Sequence, residues 1–104
     1  MLECHKYHKI MERNAIIEVL KEEGYPDFMI DKTVDKIESF SPIVAKAFCI
    51  WCEKEEQSNL VIEGFSFDEL ISKWGMPPIG AFITLDWLIR EPEKAKEALT
   101  KGIR

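Results

Sequence analysis

Cys4, His5 and His8 near one end of the chain, with Cys49 and Cys52 near its middle, are the residues best suited to chemistry. Cys4 and His8 stand one helical turn apart. Cys49-Ile-Trp-Cys52 has C-x-x-C spacing, so two helices could bring four ligands onto one zinc ion. Against this, the zinc pattern ordinarily comes as two paired halves, and the second half is missing. Cys49 and Cys52 also lie in the most apolar stretch, where a free cysteine behaves as a small buried hydrophobe. Redox use would place the pair at a helix start within alternating strands and helices, and no such alternation is present. No metal or cofactor is therefore expected. The carboxylate groups Glu22-Glu23, Glu53 with Glu55-Glu56, and Asp68-Glu69 have the composition of acid and base pairs. Each falls at a helix end or on a polar face, and Asp68 and Glu69 gain from the positive end of a helix dipole. With no phosphate-binding glycine loop and no nucleophile supported by its neighbours, the reading is non-catalytic.

Charge narrows the partners. The 104 residues carry a formal net charge of −5, and 46% are hydrophobic, enough for a core and against a disordered chain. The acidic field repels phosphate backbones and anionic membrane surfaces, so a nucleic-acid role would need a local basic group. Lys6, Lys9 and Arg13, offset by Glu3 and Glu12, form one such group, and Lys73 and Arg90 add to it. Three cysteines cannot all pair within the chain, which fits a reducing compartment. No apolar stretch follows a cationic start, and the apolar runs are broken by Lys46 or by Thr84 and Asp86. A soluble, cytoplasmic protein without a membrane partner is expected.

The elements that position these residues read as helices. Ile10, Ile16, Ile17 and Leu20 predict a first helix over roughly 5–22, stopped by Gly24-Tyr-Pro-Asp27. Asp27 then caps a second, with Ile30, Val34 and Ile37 inward and Asp31, Lys32, Asp35, Lys36 and Glu38 outward. Ser41-Pro42 opens a third, apolar almost all round from Ile43 to Trp51 and so expected at the centre of the bundle. Leu60-Val-Ile62 predicts a short strand or an extended linker. Ser66 followed by Glu69 forms a capping box, Gly75 supplies a left-handed stop, and Pro77 or Pro78 starts the next helix, which runs to Ile89. After Glu91-Pro92 a polar helix over 93–101 packs through Ala95, Ala98 and Leu99 and closes at Gly102. The expected fold is all-α: a single helical domain of five or six helices with at most one short strand, divisible into subdomains 1–56 and 64–104.

Glu69-Leu70, Trp74-Gly75-Met76, Ala81-Phe82, Leu85 and Leu88 are similar to the paired helices of helix-turn-helix and winged-helix domains, a likeness extending over 42–90. The resemblance implies that the second helix enters a DNA major groove. Its groove-facing positions would be Pro77, Pro78, Gly80, Ile83 and Thr84, of which only Thr84 offers a side-chain donor, whereas bases and phosphates are read by Arg, Lys, Asn and Gln. Ile16, Leu20, Gly24-Tyr25-Pro26, Thr33-Val34, Pro42 and Ala45 resemble, one residue out at Pro42, the three-helix ubiquitin-associated fold, where the Gly-Tyr turn lies at an apolar binding patch.

Trp51, Trp74 and Trp87 occur one per later helix, and Trp51 and Trp87 are expected largely buried. The uncharged segment Met76, Pro77, Pro78, Ile79 and Gly80, with Ile83 beyond it, is the candidate interaction surface, because contiguous apolar surface on a soluble protein marks partner sites. The function read from the sequence is thus a non-catalytic interaction or regulatory module, with a protein as the expected partner and a helix-turn-helix nucleic-acid regulator as the alternative. A small zinc-stabilised module is the third reading.

Overall fold

The structure, a computed structural model, describes residues 13–54 and 59–101. Among these the chain is 75% helical, with six helices and one two-stranded hairpin, the all-α architecture expected. The elements run α1 (Arg13–Glu22), α2 (Asp27–Glu38), α3 (Pro42–Lys54), β1 (Val61–Ile62), β2 (Phe65–Ser66), α4 (Phe67–Ser72), α5 (Pro78–Arg90) and α6 (Pro92–Lys101). Their contacts group into two units, Met1–Glu55 and Glu56–Arg104. Of the predicted first helix, residues 5–12 lie outside the described residues, as do Cys4, Gly102 and the carboxylates Glu55 and Glu56.

In the first unit, α1 packs against α2, with Ile16 and Leu20 buried on one side and Ile30, Val34 and Ile37 on the other. The reversal at Gly24 follows from backbone chemistry. Gly24 has φ +89, the Tyr25 amide donates to the Leu20 carbonyl at 3.0 Å, and the Gly24 amide donates to Lys21 at 3.1 Å, the paired bonds of a Schellman stop. Asp27 is the first residue of α2 and not its cap; that position is Pro26, which makes no side-chain capping bond. Arg13 ties the two helices across their outer faces, reaching Glu38 at 2.9 Å, Asp35 at 3.2 Å and Asp31 at 3.7 Å. In α3, Val44, Phe48 and Cys49 are buried, and Phe48 meets Phe40 edge to face and Trp51 at a tilt, with ring centroids 5.9 and 6.1 Å apart. Ile43 and Ile50 are exposed, as is Lys46 between them, so the expectation of an enclosed central helix is corrected: α3 keeps a solvent face although that face is largely apolar.

In the second unit the predicted short strand is β1, and it pairs antiparallel with β2 in the register Val61↔Ser66 and Ile62↔Phe65. Glu63 and Gly64 join them, both with positive φ (53 and 85), as a type I′ turn requires. Ser66 then caps α4, accepting from the Glu69 amide at 3.0 Å. Gly75 adopts φ +71, and Pro78 opens α5 after the extended Pro77. Phe67 and Phe82 meet at 4.6 Å between ring centroids where α4 packs on α5. Ile79, Ala81, Leu85 and Leu88 complete the buried side of α5, and Ala95 and Leu99 are the buried residues of α6.

Candidate functional site

Two features of the chain place the segment from Met76 to Ile83: a helix stop and a helix start. The Met76 amide donates to the Leu70 carbonyl at 3.1 Å, drawing the chain back over the end of α4. The Pro77 carbonyl accepts from Ala81 at 2.9 Å, beginning α5. Between these bonds Pro77 is exposed, Met76, Pro78, Gly80 and Ile83 are half-buried, and Ile79 is fully buried. Ile79 is therefore removed from the expected interaction surface. It follows the prolines in sequence, but the first helical turn directs it into the core of the second unit.

What remains is a face of α5. Gly80, Ile83, Thr84 and Trp87 stand at i, i+3, i+4 and i+7, neighbouring positions on one side of a helix. Trp87, expected in the core, is 37% exposed, and its indole Nε1–H donates to Glu91 Oε1 at 3.0 Å. That bond holds the ring along the helix surface and gives its polar edge a partner while much of the ring stays wet. The Thr84 hydroxyl donates to the Gly80 carbonyl at 2.9 Å, with Met76 Sδ 3.4 Å away. The one side-chain donor among the groove-facing positions is thus already used within α5. At the start of the helix the ring of Pro77 sits against Gly80, 3.4 Å from where a Cβ on that glycine would lie. Pro77, Gly80, Ile83 and Trp87 together form an apolar strip bounded at its far end by Glu91 and Arg90.

The other expected residues disperse. Cys49 is buried and Cys52 half-buried, His5 and His8 lie outside the described residues, and no three metal-ligating side chains gather among those that are described. Of the basic residues, Arg13 is held by three α2 carboxylates, which, led by the hydrogen bond that Asp35 accepts from it, raise its pKa above the ordinary value. Arg90 Nε bonds the buried Asp86 at 2.8 Å, and Lys73 Nζ lies 4.9 Å from the Trp74 ring centroid. Trp51 is half-buried, again less than expected, and Trp74 is anchored by its Nε1–H to the Leu99 carbonyl at 3.3 Å.

Sequence reasoning missed two exposed apolar groups. Phe28 is 82% exposed in the first turn of α2, beside Met29, and Val61 is exposed on the hairpin. Phe28 occupies the outward position that the charged residues Asp31 and Asp35 share, and that periodicity, read for its charges alone, was the available signal. No described helix is long and apolar enough to cross a membrane. Compared with known proteins, the chain matches no family model, no curated protein and no solved structure.

Proposed function

We propose that this chain is a non-catalytic interaction module of the cytoplasm that binds a protein partner through the outer face of α5. The observation that carries the reading is the exposed indole of Trp87, fixed by Glu91 and in line with Ile83, Gly80 and Pro77. An aromatic residue already held in one orientation loses little conformational freedom on docking, and tryptophan is among the residues that most often carry interface energy. The electrostatics favour protein over nucleic acid. The net charge is −5, and the described cations nearest the helix pair, Lys73 and Arg90, are engaged with Trp74 and Asp86.

The test is affinity capture from native extract with the parent chain and with Ile83→Glu and Trp87→Ala, each checked for unchanged far-UV dichroism. A specific protein retained by the parent and lost with either variant supports the reading, and a central tryptophan contact should weaken binding by about 30-fold or more. Retention of duplex DNA that falls steeply with salt and is abolished by Lys73→Glu, while Ile83→Glu has no effect, would replace it with a helix-turn-helix-like nucleic-acid function.

A further inference from the structure

The strip on the outer face of α5 differs from end to end. Near its start Gly80 has no side chain, and the exposed Pro77 lies beside it. Two helical turns on, about 10 Å along the axis, the indole of Trp87 stands partly in solvent. Ile83 and Thr84, both half-buried, fill the middle. The low end and the high end are thus equally far from the point between residues 83 and 84. A two-fold axis through that point, relating two antiparallel copies of α5, sets Gly80 of each copy opposite Trp87 of the other and Ile83 opposite Thr84. Each indole then lands on Pro77 and Gly80 of the other copy, where a missing side chain lets two helices approach closely. A parallel pairing would set indole against indole instead. Burial of the strip strands no side-chain donor, because the Thr84 hydroxyl donates to the Gly80 carbonyl at 2.9 Å and the Trp87 indole N–H to Glu91 at 3.0 Å.

Charge favours the same pairing. From Met76 to Leu85 the chain carries no charged residue, so two molecules of net charge −5 can meet there without a like-charge contact. The antiparallel register also sets Glu91 of one copy opposite Met76, at the start of α5 in the other. The cap position there is Pro77, which makes no side-chain capping bond, and the first turn has no acidic residue of its own. A carboxylate supplied from outside is favoured at such a helix start.

We propose, building on the use of this face for protein binding, that its partner is a second copy of the chain, paired antiparallel through α5 with each Trp87 seated on Pro77 and Gly80 of the other. One helix face is smaller than the roughly 800 Å2 per partner of a lasting complex, so the dimer is transient, with submillimolar affinity.

The experiment is sedimentation equilibrium of the full chain from micromolar to millimolar concentration, at low and at high salt. The parent should form a reversible dimer that tightens as salt screens the repulsion between two acidic molecules. Trp87→Ala removes the indole and Gly80→Leu fills the place where it lands, and each should weaken the dimer by about tenfold or more. The double variant Gly80→Leu/Trp87→Ala moves the large residue from one end of the strip to the other and should recover most of that loss, with far-UV dichroism checking the fold of all three. A parent that stays monomeric at millimolar concentration, a dimer indifferent to both single variants, a dimer that weakens as salt is added, or a double variant no better than the single ones would each overturn the proposal. A monomeric parent that still captures a different protein through Trp87 overturns the second copy alone and leaves α5 a binding face; a monomeric parent that captures nothing overturns both.

Discussion

Glu63 holds a left-handed conformation that costs a side-chain-bearing residue about 1–2 kcal/mol, yet its carboxylate accepts from Lys96 at 3.0 Å. An exposed ion pair of this kind returns about 0.2–1 kcal/mol, less than the conformation costs. Glu63→Asn, which suits the first position of a type I′ turn, should therefore raise stability by about 0.5–1 kcal/mol in urea unfolding; a loss would show that the Lys96 contact outweighs the strain. Trp87 and Phe82 make a second comparison within one helix. Phe82→Ala empties a fully buried site and should cost about 3–5 kcal/mol, whereas Trp87→Ala removes a ring that water already reaches and should cost about 1–2 kcal/mol. Equal losses would put the indole in the core. At Tyr25, burial first and the charge of Glu23 second raise the phenol pKa above its usual value near 10. The folded chain then holds that proton at a pH where the unfolded chain has released it, so stability is retained below the unfolded pKa and falls as pH rises through the folded one. Tyr25→Phe should flatten that alkaline decline, measured by melting temperature against pH.

Helix ends were legible in the sequence to the extent that their causes are local. Ser66 with the Glu69 amide, Gly75 with its positive φ, and Pro78 at the first position of α5 each act within a turn, and each appears where its residue type requires. Helix facing was legible only where polar residues mark the wet side, as on α2. In α3 and α5 almost every position is apolar, so periodicity could not choose among faces, and Ile43, Ile50 and Trp87 were assigned to the interior while they lie at the surface. The same lack of contrast placed Ile79 outside. The second strand of the hairpin was unread because Ser66 already had a role as a helix cap, and one residue serves both elements here. The strip on α5 can be tested without disturbing its helix. An added Cβ at Gly80 would meet the Pro77 ring at 3.4 Å, an ordinary contact, and alanine favours a helix over glycine by about 0.5–1 kcal/mol. Gly80→Ala should raise the melting temperature and at the same time weaken partner capture by filling the shallow part of the strip. A variant that is stabilised and still binds normally would place the contact elsewhere on α5.

Charge is the property of the whole molecule that most separates the two macromolecular partners. Nineteen acidic residues against fourteen basic ones leave the formal charge at −5, and the basic residues of the rival reading that the structure describes are spoken for. Arg13 joins three carboxylates of α2, Arg90 joins Asp86, and Lys73 lies over Trp74. Binding to a phosphate backbone draws its free energy from counterions released as Lys and Arg approach the phosphates, and each contact steepens the salt dependence. Turning Arg90 to that purpose would withdraw its ion pair from Asp86, whose side chain is buried, a cost that a phosphate contact must first offset. Duplex DNA should accordingly show no retention by gel shift even at low salt. Replacing Lys73 by Glu should leave that result unchanged, and Ile83→Glu should affect only protein capture. Retention at low salt that weakens progressively as salt is added would mean that enough cations are available after all, and the α5 strip would then be a packing surface rather than the site of function.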